Sequence, residues 1–262
     1  MTVLRSEKEV LMCHALGINR VRLLSHPELF DRKNPKYLEL LQRRENNEPV
    51  AYIVGHQPFM GLNILVDRST LIPRPETEEL VELAIKTIAL GGSRITHYEI
   101  LDIGTGSGCI SLALASKIKN AAATGVDRSA KALAVACKNA EINGLSGKVR
   151  FIERDLFGAV DRKYDLIISN PPYIPSGDIP GLMPDVRNWE PKEALDGGMD
   201  GLDHIRKIIA GSGERLKKDG FLLMEFGFGQ TEAIEAIARK HFNQIKISKD
   251  LAGIDRFLYA SA

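Results

Sequence analysis

From Pro75 onward, apolar residues at strand period alternate with apolar residues at helical period, and that alternation leaves few folds open to the chain. Helices are predicted at 78–90, with Leu80, Ala84 and Ile88 on one face, and at 110–118, 130–143, 202–217 and 231–241. Strands are predicted at 98–103, 123–126, 149–152, 164–169, 221–226, 245–248 and 257–260. Strands separated by single helices imply parallel βαβ units, and so an α/β, Rossmann-like doubly wound sheet covered on both faces. Only a turn at Gly253 separates the last two strands, so an antiparallel pair is expected at that edge.

The first part of the chain reads as short helices. Ser6 and Glu9 have capping-box spacing ahead of Val10, Leu11 and Leu16, with Gly17 as the stop. Asn34-Pro35 opens a helix over 37–44 that places Leu38 and Leu41 on one face. Arg43-Arg44 on that helix reads as a solvated face, or as a contact for an acidic partner surface. The apolar pattern continues over 50–54 to Gly55, and 59–71, broken by Gly61, Asn63 and Asp67, reads as a hairpin or linker. The division therefore falls near residue 68: a small N-terminal helical domain with a hairpin linker over 1–68, and the α/β domain over 69–262.

Composition narrows the function classes. Among 262 residues, 44% are hydrophobic, enough for a sizeable core, yet the longest apolar stretches are too short to span a bilayer. Met1 to Val10 carries charges of both signs and no apolar core segment, unlike a secretory signal. Three scattered cysteines, Cys13, Cys109 and Cys137, argue against a disulfide framework or a zinc site. A monomeric cytoplasmic protein without metal or membrane contact is expected. The net charge of +1 lacks the basic excess typical of proteins that hold nucleic acid, so no stable nucleic-acid binding is expected.

The turn Gly104-Thr105-Gly106-Ser107-Gly108 follows a predicted strand and opens a helix, where glycines allow a ligand close to bare backbone. Its Gly-x-Gly-x-Gly spacing departs from the dinucleotide pattern Gly-x-Gly-x-x-Gly. Asp127 ends the next strand, where a carboxylate can accept from both ribose hydroxyls. S-adenosyl-L-methionine is the cofactor these residues suit best; on them alone a nicotinamide cofactor stays open, as does a plain tight turn with an exposed Asp.

Asn170-Pro171-Pro172-Tyr173 follows the strand at 164–169, at the carboxyl end of the sheet where ligands of such folds lie. Two prolines fix φ twice and remove two backbone donors, leaving a stiff loop that offers acceptors only. A planar –NH2 is a poor nucleophile with two N–H donors. The Asn170 side-chain oxygen and a proline carbonyl can accept both, orienting the nitrogen toward a methyl donor, while Tyr173 covers the flat group. These four residues are the candidate catalytic set, with Asn170 also bordering the cofactor. The alternative is that the two prolines simply end a strand and Tyr173 is a core aromatic.

Together these segments resemble the HemK/PrmC family of protein-glutamine methyltransferases, and the resemblance covers nearly the whole chain. It rests on Pro73-Arg74-Pro75-Glu76-Thr77-Glu78, on Asp102 to Gly108, on Ser169 to Ile174, on Glu190-Pro191, and on Gly197-Gly198 with Asp200-Gly201-Leu202. It implies transfer of a methyl group from S-adenosyl-L-methionine to the glutamine amide in the Gly-Gly-Gln motif of a peptide chain release factor. It further implies that Gly104, Thr105, Gly106, Ser107, Gly108 and Asp127 contact the donor, that Asn170 to Tyr173 hold the glutamine, and that the N-terminal domain meets the release factor. Family members often carry an aromatic beside the adenine after the Asp that follows the third strand; here Asp155 is followed by Leu156 and Phe157, either of which could fill that place, and Leu156 is the one assigned to it.

Arg74 and Glu76 either gate the acceptor cleft or cap a helix, and His56, Trp189 and Glu225 either border the cleft or are structural. Two other functions remain. A nucleic-acid methyltransferase acting on an adenine or guanine amine would share the Asn-Pro-Pro-Tyr box, but would need to present an unstacked base, and no large target-recognition region is evident. A non-catalytic adaptor would not need an intact donor turn.

Overall fold

The computed structural model describes residues 3–90, 97–158 and 162–261. Met1 and Thr2, with which the reading of the first ten residues began, lie outside the described residues. In the N-terminal part, α1 (Arg5–Leu16), α2 (Arg20–Ser25), α3 (Pro35–Glu45) and α4 (Val50–Val54) pack around Leu11, Met12, Leu23, Tyr37, Leu40 and Ile53.

Local chemistry explains the helix ends, with three corrections. α1 starts before Ser6: the Leu4 amide donates to Glu7 Oε2 at 2.8 Å, and Glu9 instead pairs with Arg5 and Arg20. α3 is capped as expected, Asn34 Oδ1 accepting from the Tyr37 amide at 3.0 Å with Pro35 in the first turn. Its buried face, however, is Tyr37, Leu40 and Arg44, while Leu38 is exposed. Arg44 is not on a solvated face: its guanidinium, 6% exposed, pairs with Glu7 at 2.9 Å and with Asp185 at 3.5 Å, and Arg43 pairs with Glu48. A charge this buried persists because it is paired. The pair with Asp185 ties the N-terminal helices to a residue 141 positions further along the chain.

β1 (His56–Phe59) and β2 (Leu62–Leu65) form an antiparallel hairpin, beginning three residues earlier than expected. Phe59, Ile64 and Val66 belong to the apolar cluster beneath the main sheet, not to that of the N-terminal helices. Asn139 stitches the hairpin down: its Oδ1 accepts from the Leu65 amide at 2.7 Å and its Nδ2 donates to the carbonyls of Leu65 (3.0 Å) and Ser107 (2.9 Å).

The second part runs α5 (Pro75–Leu90), β3 (Tyr98–Ile103), α6 (Cys109–Lys117), β4 (Ala121–Asp127), α7 (Ala130–Ile142), β5 (Val149–Glu153) and β6 (Tyr164–Ser169). It continues through α8 (Pro184–Trp189), α9 (Asp203–Ser212), β7 (Leu216–Glu225), α10 (Thr231–Ala238), β8 (Gln244–Lys249) and β9 (Asp255–Ser261). The seven strands lie in the order β5-β4-β3-β6-β7-β9-β8, with β9 antiparallel to both neighbours and the first five parallel. This is the doubly wound sheet with an antiparallel edge that the alternation implies. β6 is buried along its whole length, as befits a central parallel strand. α6 is buried from Cys109 through Ala115, and α9 presents Ile205, Ile208 and Ile209 to the core at helical spacing.

The helix expected over 202–217 ends at Ser212, and Leu216 already pairs with Tyr164 in β7. The register then shifts, so that Leu166 faces Phe221 and residues 217–220 bulge. Chain order reverses between β3 and β6, which opens a crevice at their carboxyl ends.

Candidate active site

The crevice holds a cavity of about 460 Å³, lined by Ile103, Gly104 and Gly106 from the turn after β3, by Asp127 after β4, by Leu156 after β5, and by Asn170, Pro171 and Pro172 after β6. A second cavity of about 200 Å³ adjoins it, with Arg74, Tyr173, Ile174 and Leu195 on its wall. The two share Leu71, Asn170, Pro171 and Ala194, so Asn170 and the first proline stand where they meet.

The turn is built from inside out. The amides of Gly104 and Thr105 both donate to the Val126 carbonyl, at 2.9 and 3.0 Å. Asp102 is fully buried beneath, its Oδ2 accepting from Thr105 Oγ1 (2.6 Å) and Ser111 Oγ (2.8 Å). Burial pushes its carboxyl up to about 6, against those hydrogen bonds. Thr105 and Ser107 therefore lie behind the turn, buried, and shape it without reaching the cavity wall. Gly108 also faces inward: a Cβ there would meet Phe151 at 2.8 Å, and its φ is +80°. Gly104 and Gly106 are the members of the run that line the cavity.

Asp127 braces the same turn, its Oδ2 accepting from the Gly106 amide and its Oδ1 from the Ser129 amide, both at 2.9 Å. Leu156 sits on the cavity wall in the left-handed region, at φ 51°. Such a backbone costs about 1–3 kcal/mol and tends to occur at ligand clamps. Phe157 points the other way, into the core, under the Arg215 guanidinium at 4.7 Å. Of the two residues, Leu156 is the one that faces the cavity.

Where the two cavities meet, Asn170 Nδ2 donates to Thr77 Oγ1 at 3.0 Å, and Thr77 Oγ1 donates to Glu225 Oε2 at 2.9 Å. The Tyr173 hydroxyl donates to Glu225 Oε1 at 3.3 Å, and its phenol is pushed up by burial. Burial raises Glu225 to about 7; Thr77, Arg256 and Tyr173 pull it back down and Glu76 adds to the rise. Behind Tyr173, Gly201 leaves no room for a side chain: a Cβ would lie 2.3 Å from the Tyr173 carbonyl. That close approach accounts for one glycine of the Gly-Gly-Met-Asp-Gly-Leu run.

Several wall residues escaped the sequence reading. Ser69, Thr70 and Leu71 precede α5 and line the larger cavity, and Glu190 holds their continuation by accepting from the Ile72 amide and pairing with Arg74. Arg74 thus lines the smaller cavity and does more than cap α5. Trp189 carries the Arg68 guanidinium 4.0 Å over its ring. Glu225 had a signal, a single carboxylate inside the apolar strand Phe-Leu-Leu-Met-Glu-Phe; Thr77 had none beyond its place in the Pro-Arg-Pro-Glu-Thr-Glu segment. His56 is not among the cavity residues.

The larger cavity has the size of a small-molecule site, with bare turn backbone at one end and a carboxylate at its rim. Those features fit S-adenosyl-L-methionine, which presents an amino-acid tail, a sulfonium and a ribose diol. Among the described residues no group of His, Cys, Asp and Glu could hold a metal ion, and no helix is long and apolar enough to cross a membrane.

Residues 85–179 match the family described as Methyltransferase small domain, and residues 5–55 match the PrmC N-terminal domain. A release factor glutamine methyltransferase of Geobacter sulfurreducens is 43% identical over 260 residues, covering 96% of this chain and 87% of that protein. One from Nitratidesulfovibrio vulgaris is 38% identical, covering 98% and 88%. The ribosomal protein L11 methylase of Lactobacillus delbrueckii subsp. bulgaricus has the same fold, with a TM-score of 0.54 at 20% identity over 76% of this chain and 86% of that one. With 43% and 38% identity to such proteins over nearly its whole length, and with its N-terminal helices matched as well, the chain belongs to the release factor glutamine methyltransferase family.

Proposed function

We propose that the protein transfers the methyl group of S-adenosyl-L-methionine to the side-chain amide nitrogen of the glutamine in the Gly-Gly-Gln motif of a peptide chain release factor. The observation that carries this reading is the meeting of two cavities at Asn170 and Pro171, one of cofactor size and one large enough for a single side chain. When bound, the donor supplies an electrophilic methyl group on a positively charged sulfur.

The chain's own residues do the rest. Gly104, Gly106 and Asp127 hold the donor's two polar ends, and Leu156 packs beside its base. Thr105, Ser107 and Gly108 keep the turn in shape. Asn170 Oδ1 and the Pro171 carbonyl accept the two N–H groups of the amide, which fixes its plane and raises electron density on nitrogen. Neither proline has an N–H to compete. Tyr173 excludes water from the flat group. Positioning supplies much of the acceleration, and no base is needed first: as the nitrogen takes the methyl and the carbon–sulfur bond breaks, its proton becomes acidic and passes to solvent when the product leaves.

Residues 1–68 form the substrate-binding part with its hairpin linker, and 69–262 the catalytic part. The protein acts as a cytoplasmic monomer without stable nucleic-acid binding. A labelled methyl-transfer assay offering a release factor, its Gly-Gly-Gln→Ala variant, tRNA and DNA tests the assignment. Label on the wild-type factor alone is expected; label on nucleic acid, or on nothing, overturns it.

A further inference from the structure

The side-chain amide of Asn170 has two ends of equal size and opposite hydrogen bonding, and only the oxygen can accept from an incoming –NH2. A free asparagine would present either end. Here the choice is made from behind. Nδ2 lies 3.0 Å from Thr77 Oγ1, whose single hydrogen is already given to Glu225 Oε2 at 2.9 Å. Above a pH of about 7 Glu225 is ionised and only accepts, so there the Thr77 lone pair, and not its hydrogen, faces Asn170. Tyr173 fills the other carboxylate oxygen at 3.3 Å. Thr77 and Glu225 are 3% and 1% exposed, which keeps the relay out of reach of bulk solvent. Its members come from α5, β7 and the loop after β6, so the order is imposed by the packed fold and not by one flexible segment.

We propose that Thr77 and Glu225 are positioning residues that set which end of the Asn170 amide faces the acceptor, a carboxylate-anchored hydroxyl holding Nδ2 inward and leaving Oδ1 for the substrate N–H. The inference rests on the acceptor being a planar –NH2 group, as proposed above. Neither residue touches the reacting atoms. The flipped amide would set N–H against N–H and leave the Thr77 lone pair unmet.

The test begins with the wild-type protein, a release factor as acceptor, and calorimetric donor binding. Failure of the wild type to methylate overturns the function, and this inference with it. Given turnover, Thr77→Val keeps the shape of the side chain and removes the relay. Its kcat is expected to fall about 10- to 100-fold, because a buried donor left unmet turns toward the cavity and few molecules stay competent. Donor affinity is expected to hold, and Thr77→Ser to restore most of the lost kcat. Wild-type kcat in Thr77→Val, or equal loss in Thr77→Ser, overturns the proposal. Should Thr77→Val fail to bind donor, Glu225→Leu and Glu225→Gln decide. The glutamine oxygen still accepts from Thr77, so Glu225→Gln should be the faster of the two, and equal rates overturn the proposal.

Discussion

The backbone amide of Ile72 donates to Glu190 Oε2 at 3.1 Å across 118 residues of chain, and the other oxygen of the same carboxylate pairs with Arg74. One buried side chain thus pins the strip of backbone that walls both cavities. Glu190→Ala would leave the Ile72 amide unmet and the Arg74 charge without its partner. A loss of about 3 kcal/mol is expected, at the low end for a broken buried pair because Arg74 keeps 32% exposure. Urea unfolding measures it, and a loss indistinguishable from zero would mean that the strip is held by other contacts.

Leu156 and Phe157 are neighbours with opposite duties. Leu156→Ala removes cavity wall and should weaken donor binding while leaving the unfolding midpoint nearly in place. Phe157→Ala removes a core ring and should cost about 3–5 kcal/mol of stability. Donor titration and urea unfolding on the two variants separate them, and a swapped pattern would place the phenylalanine at the base.

Asn170→Ala removes one of the two acceptors proposed for the substrate amide. A fall in kcat of about 100- to 1,000-fold is expected, with donor affinity little changed. Turnover near the wild-type rate would remove the central residue of the mechanism. Asp127→Ala should do the reverse, weakening donor binding most, because the carboxylate also braces the Gly106 amide.

Two buried carboxyls give stability a defined pH dependence. Glu225 is raised from 4.5 to about 7 and Asp102 from 3.8 to about 6, in both cases mainly by burial. Between the lower and upper values the folded protein holds protons that the unfolded chain has released, so stability falls as pH rises through that window. Below it the contribution is fully present. Arg256, Glu76 and Tyr173 face Glu225, and all remain in Glu225→Gln, which should flatten the upper part of the slope. Urea midpoints from pH 4.5 to about 7 check the sign, and a rising curve in the wild type would contradict it.

Much of this was legible in the residues. The strands at 98–103 and 164–169 stand where the apolar runs place them, because β3 and β6 are central, β6 buried throughout and β3 over its last four residues. Lys217-Lys218-Asp219-Gly220 misled, since a polar bulge inside β7 reads like the end of a helix. Ser6 misled for a different reason: the helix starts two residues earlier, with the Leu4 carbonyl accepting from the Lys8 amide and the Leu4 amide donating to the Glu7 carboxylate. In the site, Asn170 and Asp127 announce themselves by motif. Thr77 and Glu190 act through partners about a hundred residues away, and one-dimensional spacing carries no trace of such pairings.

Asn139 carries a lesson about where the molecule can be cut. Its amide is spent on both backbone groups of Leu65 and on the carbonyl of Ser107, so the hairpin is sewn to the underside of the donor turn. A fragment begun at residue 69 would strip away Phe59 and Ile64 and strand that amide beneath an uncovered sheet. Ala51 and Tyr52 of α4 sit in the same cluster, so the hairpin and the helix before it belong with the sheet, and the linker, counted by its fastenings, is a foundation of the enzyme's larger half.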